Sequence, residues 1–193
     1  MARPKTFNPD QAMKEAMEAF WEHGYHATSV NDLLAEMKLN RGSLYGTFGD
    51  KRSLFLAALG EYERQGREAM AAALDRPVAA RAALRQWVVE YAKTCCGQDG
   101  QRGCLGLKAA MELAPHDAEV ARWVRQVSRR RERMVADAIE RGQAEGDINA
   151  RIDPRAAARY LLTALAGLRI TGMWAPAEEE LRDVVNLILR ALD

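Results

Sequence analysis

The amino-acid sequence predicts an all-α protein, and three observations carry that expectation. The composition is rich in Ala, Leu, Arg and Glu and holds only six prolines, a balance that favours helices. Apolar residues recur at three- and four-residue spacing in most segments between breaks. Twice a capping residue is followed directly by proline, at Asn8-Pro9 and Asp153-Pro154, which marks a helix start. A chain of 193 residues can bury a sizeable core, as one domain or two small ones. Its formal net charge of +1 means that a surface for nucleic acid has to be local. No apolar run reaches the roughly 18 residues of a membrane span. The opening MARPKTFNPD lacks the apolar segment of a secretory signal. Three cysteines, an odd count, fit free thiols in a reducing cytoplasm.

Residues 1–7 read either as a disordered terminus or as an arm whose Arg3 and Lys5 lie along a DNA phosphate or reach the minor groove. Asn8, Pro9 and Gln11 then start a helix that runs to about His23, with Ala12, Ala16, Ala19 and Phe20 as its apolar stripe. Gly24 ends it, and Tyr25 packs as a wedge in the turn. Ser29 caps a second helix, with Asp32 three residues on in a variant of the capping box. Val30, Leu33, Leu34 and Met37 give that helix one apolar face. Asn40 caps a third, through Arg41, Gly42, Ser43, Leu44 and Tyr45. A long fourth helix starts at Gly49-Asp50-Lys51 and reaches about Leu74, where Asp75-Arg76-Pro77 breaks it.

A fifth helix is expected over Val78 to Cys96, and Gly97-Gln98-Asp99-Gly100-Gln101 reads as a loop. A sixth covers about Cys104 to Leu113, and a seventh runs from Asp117 to Ala144 with a dense run of arginines that reads as a solvated face. The eighth, from Asp153-Pro154 to about Trp174, is apolar nearly all round and so buried on most sides. Ala175-Pro176 breaks it. The ninth spans about Glu178 to Leu192, with Leu181, Val184, Val185, Ile188, Leu189 and Leu192 as its stripe.

Residues 29–48 stand apart chemically. They form two short helices with a tight break between them, a helix-turn-helix. The outward residues of the second are Arg, Gly, Ser and Tyr: donors, and one position without a side chain. A helix built only for packing has no use for that face, whereas one that approaches a base-pair edge does. Arg41 suits guanine O6 and N7, Gly42 lets the helix approach the groove floor, and Ser43 is a weaker reader. Thr28 and Ser29, at the start of the second helix, offer hydroxyls and free backbone N–H groups to a phosphate. Leu44 reads as packing.

The residues Phe20, Gly24, Tyr25, Thr28, Ser29, Leu33, Leu39, Arg41 to Tyr45, Phe48, Lys51, Leu54 and Phe55 (F…HGYHATSV…L…LNRGSLYGTFGDKRSLF) resemble the TetR family of bacterial transcriptional repressors. The local texture, in GSLYGTFGDKRSLFLAAL, GCL and ELAPHD, is similar to the electrophile-responsive NemR-type branch. The resemblance implies a three-helix DNA-binding head over 6–66 and a ligand-binding and dimerisation bundle over 67–193, about nine helices in all. It implies that Tyr45 and Lys51 contact phosphates. It implies a homodimer through the eighth and ninth helices, which reads a pseudo-palindromic operator in double-stranded DNA. Helix-turn-helix dimers hold half-sites about 34–36 Å apart or at a multiple of that. Small residues in the eighth helix (Ala164, Gly167, Thr171) permit close helix contact. A helical dimeric binding protein with a non-DNA partner is the alternative reading.

No catalytic constellation, phosphate loop or common metal spacing stands out, so neither an enzyme nor a cofactor is expected. An unidentified small-molecule inducer is expected, and two sensing readings stay open. Cys104 follows Arg102 and Gly103 at a helix start, where positive potential favours a reactive thiol, and it is either a sensor or an inert cysteine. Trp87, Tyr91, Leu107, Met111 and Trp123 either line a pocket for an apolar ligand or are plain core.

Overall fold

The structure is a computed structural model that describes residues 7–174 and 177–193. Among the described residues there is helix and no strand. Arg3, Lys5 and the break at Ala175-Pro176 lie outside them. In order the helices are α1 (Pro9–Ala27), α2 (Val30–Glu36), α3 (Arg41–Phe48), α4 (Lys51–Leu74), α5 (Ala80–Lys93), α6 (Gly97–Arg102), α7 (Leu105–Glu112), α8 (Ala118–Glu145), α9 (Pro154–Thr171) and α10 (Glu178–Arg190). A 3-10 turn, Gly172–Trp174, extends α9.

The expected starts are met by their caps. Asn8 Oδ1 accepts from the backbone N–H of Asp10 and Gln11. Asp153 Oδ1 accepts from Arg155 and Ala156. These contacts satisfy donors that a helix start leaves open. α1 is interrupted where glycine was expected to end it: Gly24 takes φ +81, a conformation costly for other residues.

The segment from Gly97 to Gln101 is not a loop but the body of α6. Polar, glycine-rich composition signals a loop, yet Gly97 adopts φ +62 and Gly100 sits against the Cys95 carbonyl, where a side chain would collide. Gly100 also lies against the Gly172 carbonyl at the end of α9, a contact distant in sequence that composition does not report. α5 is also shorter at both ends than the expected Val78 to Cys96.

The chain forms two compact units. One comprises Met1–Arg64 with Cys104–Val120, the other Gln65–Gly103 with Ala121–Asp193. This division differs from a single cut near residue 66, because α7 packs against α1. In the first unit Phe20, Leu33, Leu44, Leu54, Phe55, Leu59 and Leu105 are fully buried. Phe20 and Phe55 meet edge to face at 5.0 Å, and Tyr25 joins both as the expected wedge. In the second unit α5, α9, α10 and the later part of α8 share a core that includes Leu84, Val88, Ile139, Leu161, Ile188 and Leu192. Among the described residues no helix is long and apolar enough to cross a membrane.

Candidate nucleic-acid interface

Three devices fix the helix-turn-helix. Ser29 Oγ accepts from Asp32 N at 3.1 Å while Asp32 Oδ2 accepts from Ser29 N at 2.7 Å, a reciprocal capping box. The Ser29 hydrogen bonds hold the Asp32 carboxyl below the usual aspartate range. Lys38, at φ +51, turns the chain, and Asn40 Oδ1 caps α3 through Ser43 N at 2.9 Å. Leu33, Met37 and Leu44 are buried beneath.

What remains outside on α3 is polar. Arg41 and Gly42 are exposed, Ser43 is half-buried, and Tyr45 is 45% exposed. A side chain on Gly42 would meet only its own cap, Asn40 Oδ1 at 3.4 Å, so glycine here keeps the surface low rather than relieving a clash. Arg41 Nη2 donates to Asn31 Oδ1 on α2 at 2.9 Å. Asn31 was not anticipated: it pairs with Arg41 ten residues on, and no local pattern marks that.

At the start of α4, Lys51 Nζ lies over the Tyr25 ring, 4.3 Å from its centroid. This contact and partial burial aim the ammonium; burial pushes its pKa down, against the opposite pull of Glu112 and Asp32. Burial, with Asp50 nearby, raises the Tyr25 phenol. Asp50 caps α4 by accepting from Ser53 N at 2.7 Å.

Thr28 requires a correction. Its side chain is buried, and its hydroxyl donates to Gly24 O at 2.6 Å. It closes the end of α1 and offers no hydroxyl to a phosphate. Ser29, also considered for that role, has its Oγ engaged in the capping box.

α7 fastens the head from the other side. Lys108 Nζ donates to the carbonyls of Trp21 and Glu22 at 2.6 and 2.9 Å, completing α1 where its own hydrogen bonds end. Glu112 Oε2 accepts from Tyr25 N and His26 N at 3.0 and 3.1 Å. The positive φ of Gly24 calls for glycine, and a side chain there would also displace this carboxylate from the Tyr25 and His26 N–H groups. Arg52 donates to Asp117 and Glu119, and its hydrogen bond lowers the Asp117 carboxyl. Cys104 caps α7 without a side-chain cap bond; its half-buried sulfur accepts from Tyr62 Oη at 3.6 Å.

The expected ligand residues fare unevenly. Trp87 is only 7% exposed and belongs to the core of the second unit. Met111 is 60% exposed and encloses nothing. Tyr91 lies beneath the Arg169 guanidinium, 4.9 Å from ring centroid to Cζ. Leu107 and Trp123 are half-buried, Leu107 in the first unit and Trp123 in the second. A groove of about 450 Å³ on α5 is lined by Ala82, Arg85, Gln86, Val89, Glu90 and Lys93, none of them expected. Among the described residues, no cluster of three or more His, Cys, Asp or Glu could share a metal ion.

Residues 12–58 match the family model described as bacterial regulatory proteins, tetR family, and residues 79–173 match a tetracyclin repressor-like C-terminal domain. The chain is 31% identical, over the full length of both, to the uncharacterized HTH-type transcriptional regulator YezE of Bacillus subtilis. It belongs to the TetR family. A TetR-family chain with this head is a DNA-binding transcriptional regulator. It is also 28% identical to the HTH-type transcriptional repressor ComR of Escherichia coli, over 97% of this chain and 90% of ComR. Among solved structures, a cysteine mutant of the TetR family regulator CifR, complexed with 26bp double-strand operator DNA, superposes with a TM-score of 0.88 at 30% identity, covering 100% of each chain. Reduced Escherichia coli NemR superposes at 0.84 with 15% identity, covering 95% of this chain and 97% of NemR, and shares the fold alone.

Proposed function

We propose that this TetR-family regulator is a cytoplasmic homodimeric repressor that reads a palindromic operator and leaves it on binding a small ligand or on modification of Cys104. The observation that carries this reading is the α3 surface. Arg41, Gly42 and Ser43 form a low, donor-rich edge that matches a guanine in the major groove. Tyr45 and the aimed Lys51 flank it as phosphate contacts. The operator complex of CifR and the repressor ComR support the same function.

Dimerisation through α9 and α10 is supported by what they leave exposed. Tyr160, Ile170, Met173 and Trp174 on α9 and its 3-10 extension, with Val184 and Leu187 on α10, are large apolar residues between 38% and 68% exposed. Such a surface marks an interface. A second copy of the chain covers it and sets the spacing of two reading heads.

For release, Cys104 is well placed. Alkylation or oxidation of its sulfur removes the Tyr62 contact at the very start of α7. α7 carries Lys108 and Glu112, which hold the end of α1 and the Gly24 turn. A disturbed α7 therefore acts on the turn from which the helix-turn-helix begins.

A genome-wide footprint with and without a quinone tests both parts. Protected palindromic sites that empty on treatment are expected; protein that shows no sequence preference in gel shifts defeats the first part. A Cys104→Ser protein that still releases DNA on quinone treatment defeats the thiol route and leaves the ligand route.

A further inference from the structure

Arg41 is the first residue of α3, on the face proposed to read bases. An arginine on an open helix start has many rotamers, and freezing one on binding costs affinity. Here it is not loose, because Nη2 already donates to Asn31 Oδ1 at 2.9 Å. Asn31 stands on a firm base. It is the second residue of α2, between Ser29 and Asp32, whose reciprocal bonds fix that helix start. Both Asn31 and Arg41 are exposed, so their bond contributes little to the core. Its consequence is orientation.

We propose that Asn31 is a positioning residue for base recognition: it holds the Arg41 guanidinium in its reading pose before DNA arrives. Asn31 takes this role only if Arg41 reads a base, as set out under the proposed function. The chemistry suits the task. A guanidinium has five N–H donors in a rigid plane, so one can be given to Asn31 while others face guanine O6 and N7. An amide oxygen accepts this bond without bringing a negative charge to the phosphates, as a carboxylate would. The nearest carboxylate in sequence, Asp32, is occupied with the Ser29 N–H.

The test uses full-length protein and a randomised duplex library, followed by equilibrium binding to the selected site and its single-base variants. The parent, Arg41→Ala, Asn31→Ala and the double variant are compared. Arg41→Ala is expected to flatten preference at one base pair of each half-site by about five- to a hundredfold. Asn31→Ala is expected to lower preference at that same base pair by about two- to tenfold, the cost of freezing a free side chain. Other positions keep their preference. The double variant matches Arg41→Ala, since Asn31 acts only through Arg41. All variants melt with the parent, because both side chains are exposed. An unchanged Asn31→Ala profile, or a double variant weaker than Arg41→Ala, overturns the positioning role while leaving Arg41 as a reader. An unchanged Arg41→Ala profile overturns the base contact itself, and the role of Asn31 with it.

Discussion

α3 and α10 are both short helices that bury one side, and they differ in what they leave outside. α3 buries Leu44 and exposes Arg41, Gly42 and Tyr45. α10 buries Leu181, Val185, Ile188 and Leu189 and still exposes Val184 and Leu187, the latter 58% open. The first surface is made of hydrogen-bond donors at low relief, the second of aliphatic carbon. Water satisfies the donors of the first surface, whereas exposed aliphatic carbon on this scale is unfavourable until covered, and the partners proposed above follow from that chemistry: the edge of a base pair for the first and a second copy of the chain for the other. Burial alone therefore does not find function. What the core does not use is more informative than the core.

The largest expected effect comes from giving α10 a charge. Leu187→Glu places two carboxylates at the proposed two-fold, and juxtaposed like charges cost several kcal/mol. Sedimentation is expected to show monomer at concentrations where the parent is dimeric, with operator affinity falling together with dimer content. A dimeric Leu187→Glu protein would put the interface elsewhere.

On α3, Arg41→Ala is expected to cost about 1–3 kcal/mol on the preferred operator and to relax one base position. Lys51→Ala should instead weaken all sequences alike and reduce the slope of log affinity against log salt by about one. Filter binding across a salt series separates the two. Equal effects on specific and random DNA for both variants would erase the distinction between a reader and a phosphate contact.

A smaller effect concerns the base on which Asn31 stands. Ser29→Ala removes half of the capping box and is expected to cost about 1 kcal/mol in denaturant unfolding. Its pH dependence has a definite sign. The Asp32 carboxyl is held below its ordinary value of 3.8, chiefly by Ser29, so the folded head favours the carboxylate. That stabilisation is complete above 3.8 and is lost as pH falls through the lowered value. The Ser29→Ala protein should therefore lose less stability on acidification than the parent, read from thermal melts between neutral pH and pH about 3. Parallel acid profiles would show that Asp32 is held by something else.

Much of the helix-turn-helix was legible in the sequence because helix caps and turns act over three or four residues. Asn8, Ser29, Asn40 and Asp153 each declare a helix start through a side chain that reaches only its own backbone neighbours. Gly24 was legible as a break. Thr28 was misjudged because its position at a helix start suggests an exposed hydroxyl, whereas the Gly24 carbonyl takes it inward. Trp87 and Met111 were indistinguishable by pattern, yet one is core and the other open to solvent.

The sequence by itself determined the all-helical fold, the helix-turn-helix and the residues facing out from it, since these follow from periodicity and local hydrogen bonding. Only the tertiary structure decided which of those groups have partners. Asn31 meets Arg41 across ten residues, Glu112 meets the Gly24 turn across nearly ninety, and Gly100 closes on Cys95 and Gly172 within a helix expected as a loop. The first two contacts join separate helices, and no local spacing encodes which side chains helix packing brings together.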